Sequence, residues 1–303
     1  MQLNLFEDNK PGVLLNIANE FIRSRDFVQA ISVYEQLRDE YPGDRQSTAL
    51  LEMVTHWQDA LSTMNLADPG NFSSIWGRFG SITHGPLRSS VLRIVIDTLW
   101  ALPDSERIYR PPQCHFGHVL MEAGQNLEAA ECFYKALSGP GIPRGKFLAW
   151  RGDALTLAHK ETDALHSYLD AFLDDPASVD VQFIKNSTIR DLYSSLCQES
   201  TDEREGEGEV AWLPVWGWFE GVFTFPLVRG GTGQDSMDSV TFEAEMREGK
   251  RSVPRLWFDM LTSAERLRAT ARDGREMAAI RRLMKKASSC MFDRYLTIMG
   301  GRR

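Results

Sequence analysis

The densest group of side chains able to do chemistry is Cys114-His115-Phe116-Gly117-His118. Thiolate and imidazole are soft metal ligands, and on a helix His115 and His118 stand one turn apart, within reach of one ion. A closed zinc site needs further donors, and the chain offers no second compact Cys/His pair. Cys132, the nearest candidate, is placed on a paired helix where it packs. The group therefore reads as helix residues beside a packed glycine, with no metal and no cofactor. The chain has no Gly-x-Ser-x-Gly, His-Glu-x-x-His or phosphate-binding glycine loop. Arg229-Gly230-Gly231-Thr232-Gly233 lacks the Gly-Lys-Ser/Thr ending and reads as a loop. A catalytic alternative draws on residues 78–122, where Arg78, His84, Arg88, Arg107, Arg110, His115 and His118 concentrate. It requires those groups to converge with perturbed protonation.

Two further segments stand out. Residues 210–228 hold Trp212, Trp216, Trp218 and Phe219 in an apolar run almost long enough to span a bilayer. Pro214, Pro226, Gly217, Gly221 and the charge of Glu220 argue against spanning. Burying one such ring stabilises by about 1.5–3 kcal/mol, so the four are expected to dock on the helical body or on a partner. The second segment is the basic run Arg281-Arg282-Leu283-Met284-Lys285-Lys286. It belongs to a tail, Arg247 to Arg303, with 15 Lys+Arg against 6 Asp+Glu, whereas residues 1–246 carry 19 against 36. A basic tail and an acidic body attract each other. The acidic body also disfavours nucleic acid as a partner, because it repels phosphates at long range.

The elements that position these groups follow from composition and pattern. With 303 residues, 43% apolar and 25% charged, the chain is long enough for two domains or one elongated array and too apolar for wholesale disorder. Four cysteines are too few for a disulfide scaffold, and Met1 to Asp8 lacks the pattern of a signal peptide, so a reducing cytoplasmic setting is expected.

A spacing recurs along the chain. Ala18, Ala30, Tyr34, Leu37 and Pro42 are separated by 12, 4, 3 and 5 residues, and so are Gly152, Ala164, Tyr168, Ala171 and Pro176. Gly117, Ala129, Phe133 and Ala136 form a third copy, with Gly141 in place of the proline. Physically this is a helical hairpin. A small residue in the first helix sits where the second crosses, an aromatic fills the space, and proline ends the pair. One hairpin cannot bury its apolar face alone, so hairpins stack.

The pattern resembles the tetratricopeptide repeat over about residues 11–44 and 110–178. The resemblance implies a concave groove lined by the first helices, here Leu15, Asn19 and Arg23, then His118 and Glu122, then Lys146 and Asp153. Such a mixed surface suits an extended peptide or helix. Asn19 and Lys146 are similar to parts of the family's carboxylate clamp, but Leu15 and Trp150 stand where basic residues belong, which argues against a clamp.

The remaining chain is read as follows. Residues 45–109 form two degenerate hairpins, with a helix at 46–65, a break at Asp68-Pro69-Gly70-Asn71, a short helix from Ser74 to Phe79, and a helix opened by Pro86 and closed by Pro103. Residues 181–197 cap the array. An acidic linker at 201–209 marks a boundary, and the aromatic segment follows to about 235. Residues 236–303 form a basic helical unit, with one helix from Pro254 and another from about Arg275 carrying Met277, Ile280, Met284, Ala287, Met291 and Ile298. The expected class is all-α, and the expected function is a non-catalytic scaffold binding a protein or peptide in its groove. The alternatives are an enzyme using residues 78–122, or an adaptor to a membrane surface or nucleic acid through the tail. A second copy of the chain remains open as a partner.

Overall fold

The computed structural model describes residues 9–199, 208–224, 238–270 and 274–301. These form fifteen α-helices, three 3-10 turns and one β pair of two residues per strand, so the protein is all-α. The linker residues 201–207 and the loop Arg229–Gly233 lie outside the described residues. The chain divides into two compact units between Ala136 and Leu137, which is upstream of the boundary expected at the acidic linker.

The three matched segments fold as helix pairs. They are α1 (Lys10–Arg23) with α2 (Phe27–Glu40), α6 (Phe116–Glu122) with α7 (Asn126–Ala136), and α8 (Arg144–Leu157) with α9 (Glu161–Asp174). Each pair is closed by the same turn. Seven places after the small residue, Arg25, Gly124 and His159 have φ of 67°, 75° and 57°. In each case the next amide reaches back across the turn: Asp26 N–H donates to Phe21 O (2.8 Å), Gln125 to Leu120 O (2.9 Å) and Lys160 to Leu155 O (2.9 Å). This left-handed helix stop satisfies carbonyls that would otherwise be orphaned. Only the middle copy fills the left-handed position with glycine, the residue that takes it without steric cost.

The helix crossing explains the spacing. A Cβ on Gly117 would lie 2.5 Å from the Phe133 ring, and one on Gly152 would lie 2.6 Å from the Tyr168 ring. The aromatic of the second helix thus rests on the backbone of the first. In the first copy Ala18 occupies the same position, fully buried with Tyr34. Tyr34 is held by a long 3.4 Å bond to Asn19, whereas Tyr168 is held at 2.7 Å by Asp153. Gly152→Ala is therefore expected to cost about 1–3 kcal/mol, because the anchored ring has little freedom to withdraw. Urea denaturation checks this, and an unchanged midpoint would show that the ring yields.

In the first unit, α3 (Arg45–Ser62) packs on α2, and α5 (Gly85–Ala101) packs on both α1 and α6. Ser90 Oγ donates to Ile22 O at 2.6 Å, tying α5 to α1 inside the core. Two degenerate hairpins over 45–109 would need four helices, and the segment forms three. The break expected at Asp68–Asn71 does separate α3 from the next helix, and Asp68-Pro69 also opens that helix, α4 (Pro69–Phe79), five residues before the Ser74 start expected from sequence. The Asp68 carboxylate caps the N–H groups of Gly70 and Asn71, and proline sits in the first turn, where no N–H is required. The expected first helix from about residue 110 is also shortened. Pro111 and Pro112 offer no amide donors, and Tyr109–Arg110 instead pairs with Cys114–His115 as β1 and β2.

In the second unit, α10 (Ser187–Gln198) follows the hairpin, capped by Asn186. The aromatic segment is a helix, α11 (Glu209–Phe219), buried all round. The tail forms α12 (Ser239–Glu248), α13 (Val253–Thr270), α14 (Gly274–Ala287) and α15 (Ser289–Gly301). The single last helix expected from Arg275 is broken at Ser288, whose hydroxyl accepts from Met291 N–H at 3.3 Å and starts α15.

Candidate functional site

The positions expected to line the groove are used in several different ways. Asn19, His118 and Asp153 each follow the small residue by one place, and each meets the tip of its hairpin's aromatic. Tyr34 donates to Asn19, the His118 ring stands edge-on to Phe133 with centroids 5.2 Å apart, and Tyr168 donates to Asp153. These side chains complete hairpin cores. Asp153 is buried and also accepts the backbone N–H of Lys185 at 2.7 Å, tying the segment before α10 to the hairpin. Burial pushes its pKa up to about 6 despite those two donors. Leu15 is half-buried, and Arg23 is exposed and ion-paired with Glu20. Glu122 is exposed and ion-paired with Arg88. The Lys146 ammonium lies 5.6 Å from the centre of the Trp150 ring.

Trp212, Trp216, Trp218 and Phe219 are buried within the second unit. Trp216 Nε1 donates to Ser195 Oγ on α10 at 2.9 Å. Trp212 and Phe219 stand against Trp257 of α13, with centroids 6.5 and 5.9 Å apart, and Trp218 lies 6.0 Å from Tyr295 of α15. The aromatic segment is thus the wedge between the last hairpin with its cap and the basic tail.

The Cys114–His118 cluster also has structural duties. His115 is fully buried and is the N-cap of α6, not part of it. Its Nδ1 accepts from Gly117 N–H at 3.0 Å, which leaves Nε2 protonated to donate to Glu106 O at 2.7 Å. Burial lowers its pKa to about 4, so it stays neutral at physiological pH. Burial also pushes the Cys114 thiol up to about 11 and the Cys132 thiol up to about 12, which removes thiolate character from both. Among the described residues no set of three or more His, Cys, Asp or Glu is gathered as metal ligands would be. Of the basic residues of the catalytic alternative, Arg88 stacks 4.4 Å over Phe79 and Arg107 pairs with Asp104 at 3.5 Å, while burial and, after it, Arg23 lower the pKa of His84.

What His115 does build is a pocket. By bonding Glu106 it fixes the 3-10 turn Ser105–Arg107 against the start of α6. Between that turn, the end of α5 and one face of α7 lies a pocket of about 280 Å³, with Phe116 and Cys132 deep within its lining. Trp100 and Leu127 also line it and are 54% and 52% exposed. Trp100 stands edge-on to Phe116 with ring centroids 5.0 Å apart, which holds the indole in place. Glu106, Glu128, Glu131 and Lys135 supply the charged part of the lining. Sequence reading misses this site, because Trp100 continues the apolar stripe of α5 and reads as core. Its position directly beside Leu99 was the available signal, since adjacent residues on a helix point about 100° apart.

Comparison with protein-family models, with curated proteins and with solved structures finds no match. No described helix is long and apolar enough to cross a membrane.

Proposed function

We propose that the protein is a non-catalytic interaction scaffold, built on helical hairpins of the tetratricopeptide type, whose first unit grips a protein partner. The observation that carries this reading is the pocket at Trp100. A large indole, braced from behind by Phe116 and more than half exposed, is the kind of anchor that dominates protein interfaces. The repeated turn and helix crossing support the choice of hairpin type. The binding surface proposed here differs from the concave groove, where Asn19, His118 and Asp153 each also meet the aromatic of their own hairpin.

The test is affinity capture from an extract of the native host, with wild type and the Trp100→Ser, Leu127→Ser double variant as baits. Both side chains are half in water, so the variant is expected to keep the wild-type helical spectrum. The proteins retained by wild type are expected to be lost. Recovery of the same proteins at the same yield would overturn the assignment of this surface.

A further inference from the structure

Resting on that reading, we infer that the Trp100 pocket takes a basic peptide segment, with one large apolar side chain seated in the pocket and Arg or Lys residues beside it. Shape and lining decide the first half. The pocket holds about 280 Å³, at the foot of the range of ligand pockets, and its mouth is flanked by two half-exposed apolar side chains, Trp100 and Leu127. That volume is room for one side chain entering between Trp100 and Leu127 and ending on Phe116 and Cys132. The buried part of the lining is the Phe116 ring, the protonated Cys132 thiol and Ser105, and no charged side chain lies among them.

Charge decides the second half. Three carboxylates and one ammonium belong to the lining, a net of two negative charges. They come from two different elements. Glu106 lies on the 3-10 turn held by His115, while Glu128 and Glu131 stand one turn apart on α7. Lys135 lies 3.8 Å from Glu131 and offsets one of the three carboxylates, which leaves the lining net negative. Glu131 and Lys135 are 62% and 55% exposed, as a rim that meets a partner in water should be. A field of this sign repels nucleic acid and acidic peptides and attracts a cationic segment. A solvated helix face explains Glu128 and Glu131 alone. It does not explain why they share an apolar pocket with a carboxylate from another element.

Three fluorescein-labelled peptides test this against the full chain by anisotropy. The first has a central Trp flanked on each side by two arginines, the second has glutamates in place of the arginines, and the third keeps the arginines around a central Ser. The first is expected to bind at least about tenfold tighter than the other two, with affinity falling as salt rises from 50 to 300 mM. Glu128→Lys with Glu131→Lys and, separately, Trp100→Ser are each expected to weaken it about tenfold. Equal binding of the Ser-centred peptide would overturn the pocket's part, and equal binding of the glutamate peptide would overturn the rim's part. Failure of all three peptides to bind would overturn the inference entirely. If extract capture still depends on Trp100, only the partner chemistry is wrong, whereas capture indifferent to Trp100 removes the underlying reading as well.

Discussion

Trp216→Ala is expected to destabilise the second unit by about 3–5 kcal/mol and to loosen the tail helices α13 to α15 from the hairpin. The indole is 1% exposed, its N–H is bonded to Ser195, and the Arg294 guanidinium lies 3.8 Å over its face. Truncation leaves a cavity between α10 and the tail, strips the hydroxyl of its donor and removes the surface on which Arg294 rests. Electrostatics contribute less. Arg294 pairs with Glu199 and with Glu220, whose side chains are 55% and 41% exposed, and exposed pairs are each worth about 0–1 kcal/mol. The stacking over Trp216 adds about 0.5–2 kcal/mol. Arg294→Ala should therefore cost clearly less than Trp216→Ala, and 1 M NaCl should leave the tail docked. Hydrogen exchange over α13 and α15, followed in both variants, separates the two contributions. If salt alone exposed those helices, charge rather than aromatic burial would be holding them.

The hairpins were legible in the sequence because their rule is local. A ring twelve plus four residues beyond a glycine or alanine can reach it only if two helices cross there, and the ring contacts at Gly117 and Gly152 are that crossing. The fate of Asn19, His118 and Asp153 was not legible. Periodicity places them on the first helix's exposed side, but the tip of each aromatic extends past the small residue to its neighbour. Two tyrosine hydroxyls then need acceptors there, and burial alone pushes the Tyr34 pKa up to about 12. The helix α11 was missed for the opposite reason. With Ala211 to Phe219 buried on every side, the segment has no polar face and so no period, and Pro214 reads as a breaker. Ser288 was missed because a serine within an apolar repeat of three and four looks like one polar position, whereas its hydroxyl caps a new helix.

The pocket was hidden by tertiary placement. Glu106 reaches it only because His115, across the β1–β2 pair, donates to its carbonyl. A histidine between a cysteine and a phenylalanine gives no sign of that bond. Its burial, and the need to satisfy two ring nitrogens there, become visible only once the proline pair has ended the expected helix.

Asp153→Asn is expected to leave the second unit at least as stable as wild type at pH 7.5, whereas Asp153→Ala is expected to cost about 1–3 kcal/mol. Both donors, Tyr168 O–H and Lys185 N–H, converge on Oδ1, and an amide oxygen in the same place accepts both without a buried charge. Alanine accepts neither, so the Lys185 N–H loses its acceptor and the buried Tyr168 O–H keeps only the longer 3.4 Å contact to Thr156 Oγ1. The dependence on pH distinguishes the two variants further. Desolvation raises the folded-state pKa from 3.8 to about 6, so between those values the folded form binds more protons than the unfolded form. For a raised carboxyl the stabilising contribution is full below the unfolded value and is lost as pH climbs through the folded one. A shift of about two units corresponds to about 3 kcal/mol. Wild type and Asp153→Asn should therefore be close in stability near pH 4, with the amide variant gaining as pH rises to 6 and the difference flat above 7. Carboxylates held low elsewhere, such as Asp44 and Asp238, change stability in the opposite sense, so only the difference between the two proteins isolates Asp153. Urea denaturation at pH 4.5, 6 and 7.5 measures it. A difference that stays constant across that range, or an asparagine variant markedly weaker at pH 7.5, would mean that the two donors outweigh burial and hold the carboxylate ionised.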